Sequence, residues 1–249
     1  DSALFSKADL TLNGLGALSI EADAGHGIVS KDDLVITSGT YQITAAGHGF
    51  SGKDSVRIAD GTYTFVTGKD GMQAENEDDA SLGFLYIADG TFHITADGDG
   101  LSAGSDLMID GGTYTILTGG GSENASSAQS AMGTMRNPVS AAETASSGDS
   151  TSSKGIKATG DLLLNSGTFT IDSCDDSLHS NADLTVNGGS YLIATGDDGL
   201  HADANLSITG GSIQITDSYE GIEGLSIDIT GGEIHLTSSH DGLNAAGGN

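Results

Sequence analysis

The sequence predicts an all-β protein, a right-handed parallel β-helix with about 22 residues and three short strands in each of nine to ten coils. Three observations predict this fold: a repeat that returns every 22 residues, apolar and polar residues that alternate within each repeat, and glycines between the alternating segments. Identical stacked coils place parallel strands ~4.8 Å apart and favour right-handed connections. The antiparallel hairpins of a β-sandwich, the alternative fold, would not keep this repeat in register.

The repeat is clearest where the motif Asp-Asp-small-Leu-His occurs twice, at Asp175–His179 and Asp197–His201. We call the residue before the small residue of this motif the marker of its coil. The markers are His26, His48, Asp70, Asp99, Lys154, Asp176, Asp198, Glu220 and Asp241. Successive markers are 22, 22, 29, 55, 22, 22, 22 and 21 residues apart, so each long step contains one coil and an insertion.

Three apolar columns keep register with the markers and predict the core of the solenoid. The first column follows each marker by two residues and consists of Ile28, Phe50, Met72, Leu101, Ile156, Leu178, Leu200, Ile222 and Leu243. The second is mostly aromatic and consists of Tyr41, Tyr63, Phe92, Tyr114, Phe169, Tyr191, Ile213 and Ile234. The third lies two residues further on, at Ile43, Phe65, Ile94, Ile116, Ile171, Ile193, Ile215 and Leu236. Tyr86 and Tyr219 fall outside these columns and are candidates for exposed stacking on a ligand.

The unbroken repeat indicates a single domain over residues 1–249, interrupted by a short acidic insertion near 75–81 and a long one at 119–153. The long insertion is rich in serine, alanine and glycine, which predicts a loop that is either a lid over a binding face or a tether. Because it lies outside the register of the repeat, we expect its removal to leave the fold intact.

Composition limits the partners and the compartment. A net charge of −27 disfavours nucleic acids and anionic membranes as partners. No apolar run approaches the ~18 residues of a membrane span, so we expect no membrane insertion. One cysteine excludes an intramolecular disulfide. The chain starts at Asp1 rather than at a methionine, which is consistent with a removed signal peptide. We therefore expect a monomer that is secreted or held at the cell surface.

Acidic residues at the coil corners predict a calcium site. The candidate ligands are Asp175, Asp176, Asp197, Asp198, Glu220, Glu223 and Asp241. In-register carboxylates ~5 Å apart repel one another by about 3 kcal/mol at an effective dielectric constant near 20, a cost that bound cations would remove. Ca²⁺ takes six to eight oxygen ligands at about 2.3–2.6 Å, which suits this spacing. The alternative is that acidic corners only keep the protein soluble and cap turns.

Side chains in and beside this acidic ladder are candidates for ligand binding. They are Lys154, Lys157, His179, His201, Tyr219 and Asn244. His179 and His201 stack in adjacent coils and could bind sugar hydroxyls or brace the acids; a zinc site made with aspartate is a further alternative. His26 and His48 have glycine neighbours and are expected to be turn or packing residues.

Residues 154–248 resemble a family of bacterial secreted proteins described as carbohydrate-binding domain-containing proteins. The resemblance rests on the segments KGIKATGDLLLNSGTFTI, DDSLHSNADLTVNGG, DDGLHADANLSITGG, SYEGIEGLSIDITGG and DGLNAAGG, whereas residues 1–117 share only the style of the repeat. It implies a single right-handed β-helix that binds calcium and plant polysaccharides, cellulose and acidic pectic sugars among them.

The architecture of that family is similar to family-nine pectate lyases, in which calcium held by aspartates and a lysine base carry the chemistry. The lyase pattern Asp-Asp-x-x-Asp, with an aspartate one coil earlier, would fall on Asp197, Asp198 and position 201, above Asp175. Position 201 is histidine here, which weakens the transfer of that metal site and of catalysis.

The sequence therefore leaves three alternative functions. The first is calcium-dependent, non-catalytic binding of plant cell-wall polysaccharides, acidic pectic sugars or cellulose. The second is a calcium-dependent lyase of uronate polymers, with Lys154 or Lys157 as the base. The third is a structural repeat or adhesin at the cell surface.

Overall fold

The computed structural model describes residues 1–79, 81–125, 152–245 and 247, and these residues form a parallel β-solenoid. Each coil contributes up to three strands, and these strands pair in parallel with their equivalents in the adjacent coils. The predicted all-β solenoid is confirmed. Helical structure within the described ranges is confined to one turn at 122–125. No helix among these residues is long and apolar enough to cross a membrane.

The strands form three ladders. The first ladder contains β1 (Ser2–Ser6), β4 (His26–Ser30), β7 (Phe50–Gly52), β10 (Met72–Ala74), β13 (Leu101–Ala103), β16 (Ile156–Ala158), β19 (Leu178–Ser180) and β26 (Leu243–Ala245). The second contains β2 (Leu10–Leu12), β5 (Asp33–Ile36), β8 (Ser55–Ile58), β11 (Phe84–Ile87), β14 (Leu107–Ile109), β17 (Leu162–Leu164) and β20 (Leu184–Val186). Two longer strands, β22 (Leu200–Ile208) and β24 (Ile222–Ile229), run through both of these ladders.

The third ladder contains β3 (Ala17–Ala22), β6 (Thr40–Ala45), β9 (Thr62–Thr67), β12 (Thr91–Ala96), β15 (Thr113–Thr118), β18 (Thr168–Ser173), β21 (Ser190–Thr195), β23 (Ser212–Asp217) and β25 (Glu233–Leu236). Most of its strands are six residues long, and buried positions alternate with exposed or half-buried ones in them. This alternation is the period of a strand with one face in the core.

The core is built from the predicted columns, because residues 22 apart in the chain become neighbours in the solenoid. Leu178 pairs with Leu200, and Phe169 pairs with Tyr191. The aromatic rings from Tyr63 to Tyr191 stack nearly parallel, with centroids 4.6–4.8 Å apart. That distance equals the spacing of the strands, so each ring covers the next one and excludes water from the column.

The turn before the third ladder requires glycine. Gly61 has φ +142, a conformation that other residues rarely adopt, and a Cβ atom there would lie 2.6 Å from the hydroxyl of Tyr63 and 3.0 Å from the carbonyl oxygen of Gly39. A side chain at this corner would therefore push the coils apart and displace an aromatic ring from the core.

The insertions leave the solenoid between strands. The acidic insertion follows β10, where Glu75 contacts Ser51 and lies 3.3 Å from the ammonium of Lys31. The described ends of the predicted 119–153 insertion pack on the solenoid: Thr118 donates a hydrogen bond to the carbonyl of Ser153 at 2.7 Å, and Ala125 is buried. Residues 126–151 lie outside the described residues, so their role as a lid or tether, and their dispensability, stay predictions.

Candidate functional site

The predicted site residues come together in one cleft of about 1090 Å³ along the coils from Lys154 to His240. Its lining includes six of the seven candidate metal ligands and five of the six candidate ligand-binding residues, namely Asp175, Asp176, Asp197, Asp198, Glu220, Glu223, Lys154, Lys157, His179, His201 and Tyr219. The remaining two lie beside it: Asn244 donates a hydrogen bond to Glu220 at 2.8 Å, and a carboxylate oxygen of Asp241 lies 3.2 Å from Nδ1 of His240.

Most marker side chains accept backbone hydrogen bonds at the corners of the coils. The sequence indicated this turn-capping role only as the alternative to metal binding. In most coils, the marker accepts a hydrogen bond from the backbone N–H of the next marker, as Asp176 does from Asp198 at 3.0 Å and Asp99 does from Lys154 at 2.8 Å. His26 accepts the corresponding bond from His48, and their rings stack 4.9 Å apart. One acceptor atom of each such marker therefore satisfies a corner amide, and the second carboxylate oxygen of Asp176 and of Asp198 contacts cationic or histidine side chains of the cleft.

Lys154 breaks this pattern because an ammonium cannot accept a hydrogen bond. Its Nζ lies 2.8 Å from Asp175 and 3.0 Å from Asp176, and the backbone N–H of Asp176 is bonded by Asp175 instead, at 2.9 Å. Burial favours the neutral amine, but the charges of Asp176 and Asp175 outweigh it and raise the pKa of Lys154. Asp176, although buried, has its pKa lowered well below the usual range by His179 and Lys154.

Two of the three histidines that line the cleft, His179 and His201, are each held between two side-chain oxygens. His179 places Nδ1 2.8 Å from Asp176 and Nε2 2.7 Å from the side-chain oxygen of Asn181. His201 places Nδ1 3.2 Å from Asp198 and Nε2 3.3 Å from Asp203. The hydrogen bond to Asp198, reinforced by the charge of Asp176, raises the pKa of His201 to about 9. His201 is thus a cation at neutral pH and neutralises part of the acidic ladder.

The negative charges of two carboxylates in the cleft, Asp197 and Glu223, are poorly compensated by their surroundings. Burial and the charges of Asp176, Asp198 and Asp175 raise the pKa of Asp197 to about 7. Burial and Asp198 raise the pKa of Glu223 to about 7 as well. A carboxylate whose charge is disfavoured to this degree is one that an added cation would stabilise.

Among the described residues, one group of possible metal ligands consists of carboxylate oxygens alone. Oxygens of Asp175, Asp176 and Asp197 lie within 4.8 Å of one another, and carboxylate oxygen is the ligand that Ca²⁺ prefers. Lys154 already contacts two of these carboxylates, and a bound calcium ion would have to replace it at one of them. The other groups that could hold a metal each contain histidine and suit zinc better than calcium: Asp176 with His179 and His201, Asp198 with His201 and Glu223, and Glu220 with His240 and Asp241.

The two tyrosines proposed for stacking on a ligand differ in position. Tyr219 lines the cleft, but His240 covers one face of its ring, with centroids 5.0 Å apart and planes 7° from parallel. Tyr86 lies in a second, more apolar depression beside Arg57 and donates a hydrogen bond to Asp110 at 2.7 Å. Of these two tyrosines, only Tyr219 therefore lines the acidic cleft, and it is half-buried.

Three lining residues were missed from the sequence: Asn181, Asp203 and His240. A signal for the first two was present, because each lies two residues after a cleft histidine in successive coils. Alternation along a strand places residues i and i+2 on the same face, so a His-x-Asn/Asp pattern predicts such a pair. His240 directly precedes the last marker and shows no comparable pattern.

The raised pKa values predict how the stability of the metal-free protein depends on pH. Asp197 and Glu223 bind more protons in the folded than in the unfolded state from the ordinary carboxyl range up to about pH 7, and His201 does so from 6.5 up to about 9. Folding that raises a pKa contributes stability that is lost as the pH rises through the folded value. We expect the melting temperature in chelator to fall as the pH rises from 5 to about 9.

Circular dichroism melts of the wild type and Asp197→Asn check this expectation. The variant should show a shallower fall below about pH 7 because a carboxyl group whose pKa is raised in the folded protein is gone. A wild-type melting temperature that rises over this range would contradict the assignment.

Comparison with known proteins agrees with the fold and indicates a ligand class. A family model described as carbohydrate-binding domain-containing protein matches residues 1–199, including residues 1–117, which resembled the family only in repeat style. A solved structure of a polysaccharide lyase-like protein from C. thermocellum, a gadolinium derivative, superposes with a TM-score of 0.51 at 16% identity. That match covers 96% of this chain and 86% of the other, and at this identity it shows the fold alone. No curated protein sequence matches the chain.

Proposed function

Because the chain belongs to the carbohydrate-binding domain-containing family, we propose that it binds polysaccharides without cleaving them and that calcium joins acidic chains to its cleft. The family supports a carbohydrate as the ligand class. The fit of Asp175, Asp176 and Asp197 to an all-oxygen cation site supports calcium as the ion.

The observation that carries the proposal is the charge of the cleft. Seven carboxylates line it against three cations, Lys154, Lys157 and protonated His201, in a chain of net charge −27. A polymer of uronic acids would be repelled by this surface unless divalent cations bridged the two sets of carboxylates. When bound, calcium would supply that bridge, and the chain's own residues would position it and offer hydrogen bonds to sugar hydroxyls.

The state of the basic residues favours binding over lyase chemistry. Proton abstraction needs a base with a lowered pKa within reach of its substrate. Lys154 is buried in ion pairs that raise its pKa, and His201 is protonated at neutral pH. Lys157, the other candidate base, lies 3.9 Å from Asp99. The structural likeness to a lyase-like protein at 16% identity transfers no activity.

We expect retention on immobilised polygalacturonate to increase with calcium and to be lost in chelator. Asp197→Asn should weaken calcium-dependent retention by about tenfold, the equivalent of ~1.4 kcal/mol, because it removes one charged oxygen ligand. Asp228→Asn is the matched control, since it removes the same charge from an exposed side chain outside the cleft.

Affinity electrophoresis or a pull-down measures these effects. Retention that ignores chelator would contradict calcium bridging. Release of unsaturated uronate ends, seen as growing ultraviolet absorbance and lost in Lys157→Ala, would establish the lyase instead.

A further inference from the structure

The outer face of the third ladder carries a column of hydroxyl groups that the acidic cleft does not use. The first outward position of seven successive strands is threonine or serine, at Thr40, Thr62, Thr91, Thr113, Thr168, Ser190 and Ser212. Thr91 is half-buried and the other six are exposed. In the described part of the chain, none of these seven hydroxyls hydrogen-bonds to another protein group, so all can bond to a ligand.

Two further outward columns run beside the first. The second consists of Gln42, Thr64, His93, Thr115, Thr170, Leu192 and Gln214, and the third of Thr44, Val66, Thr95, Leu117, Asp172 and Ala194. We call these three columns, twenty side chains in all, the hydroxyl face. Exposed Val66 and Leu192 add apolar area to it.

The hydroxyl face is almost uncharged on a strongly acidic protein. Among its twenty side chains Asp172 is the one carboxylate, and it accepts a hydrogen bond from the backbone N–H of Ser122 at 2.7 Å. The same columns continue in register to Glu21 at one end of the ladder and to Asp217 and Glu233 at the other, so the neutral part is the middle of the ladder. None of its twenty side chains is a lysine or arginine. The chain as a whole has a net charge of −27, so acids are concentrated elsewhere, notably in the cleft.

We propose that the hydroxyl face binds the surface of an uncharged polysaccharide whose chains are packed side by side. The inference rests on the proposed function in taking a polysaccharide as the ligand class, but it assigns a second site and a second kind of chain. Apart from Asp172, the face has no carboxylate to hold a bridging cation, and it has no lysine or arginine to attract an acidic polymer. Its charge therefore matches a neutral ligand.

The geometry suits an ordered ligand. Hydroxyls repeat every ~4.8 Å across the coils and every ~6.8 Å along a strand, since side chains on one face are two residues apart. The first spacing is close to the length of one sugar residue in an extended chain. Packed chains present their hydroxyls at fixed positions, so binding costs less conformational entropy than with a single mobile chain.

A protein partner fits this face less well. Protein interfaces are enriched in aromatic residues, methionine and arginine, and the hydroxyl face has none of these. Neither of the two clefts described above is lined by residues of the hydroxyl face, which is the outer side of one parallel sheet.

The test compares two double variants on microcrystalline cellulose, in chelator so that the acidic cleft does not contribute. Thr62→Glu with Thr113→Glu places two carboxylates on the hydroxyl face, two coils apart. Thr11→Glu with Thr237→Glu makes the same charge change at exposed threonines outside it. We expect the first pair to reduce retention by about tenfold or more and the second to leave it unchanged.

A third pair, Thr62→Val with Thr113→Val, keeps the branched shape and removes the hydroxyls. It should bind more weakly than the wild type and more tightly than the glutamate pair. Circular dichroism melts of each variant confirm that the solenoid is folded.

Equal retention of the first pair and the wild type, or no retention of the wild type on cellulose, would overturn the inference. Calcium-dependent retention on polygalacturonate, measured in parallel, reports separately on the proposed function, because the hydroxyl-face variants leave the cleft intact. The inference would also be wrong if the wild type shaped ice crystals, the first pair lost this ability, and cellulose retention persisted. In that case the ligand of the hydroxyl face would be ice.

Discussion

Replacing Asp176 with alanine is expected to lower the free energy of unfolding by about 3–5 kcal/mol, the cost of breaking a buried ion pair by removing one partner. Asp176 is 3% exposed and contacts the ammonium of Lys154 at 3.0 Å and the ring of His179 at 2.8 Å. It also accepts a hydrogen bond from the backbone N–H of Asp198. Alanine would leave a buried cation with one carboxylate instead of two and would leave a corner amide without an acceptor. Urea unfolding followed by circular dichroism measures the loss.

Two further variants separate the charge from the corner hydrogen bond. Asp176→Asn keeps the oxygen that accepts the N–H of Asp198, so it should lose less stability than Asp176→Ala. Adding Lys154→Met to Asp176→Ala removes the stranded ammonium, and the pair should be less destabilised than the sum of the two single variants. Strict additivity would show that Lys154 and Asp176 are not coupled.

Replacing Tyr114 with alanine is expected to cost about 3–5 kcal/mol, the range measured for large aromatic residues in cores. Its ring is 1% exposed and lies between Phe92 and Phe169, with centroid distances of 4.7 and 4.6 Å. Because each coil of a solenoid contacts only its neighbours, the gap would weaken the interfaces on both sides of one coil. The shift of the urea midpoint measures this effect.

Tyr114→Phe is the matched control because phenylalanine already occupies the equivalent positions in both neighbouring coils. It removes the hydrogen bond from the tyrosine hydroxyl to the carbonyl of Gly111, 2.8 Å long, which is worth about 0.5–1.5 kcal/mol. A loss from Tyr114→Ala no larger than that from Tyr114→Phe would mean that ring stacking contributes little to stability.

The calcium hypothesis shows where sequence reasoning about the site reached its limit. Stacked acids at Asp175, Asp176, Asp197 and Asp198 predicted an uncompensated column, and the four side chains do line one cleft. The structure places Lys154 and His201 against that column, so much of its charge is neutralised within the protein. The carboxylates whose negative charge is least compensated are Asp197 and Glu223. The pattern of acids in the sequence does not distinguish these two residues from their neighbours.

The sequence by itself determined the solenoid, its register and the members of its core columns. In a stack of equal coils, an offset of 22 residues becomes the distance between adjacent strands, so a periodic pattern such as Phe169 and Tyr191 is already a contact. The same rule brought most of the predicted site residues to one cleft. Only the tertiary structure decided which partner each polar side chain contacts, because a long side chain such as that of Lys154 can reach several acidic residues of the adjacent coils. The pKa values that distinguish Asp176 from Asp197 depend on those choices, on burial and on the summed field of the surrounding charges, none of which a repeat pattern contains.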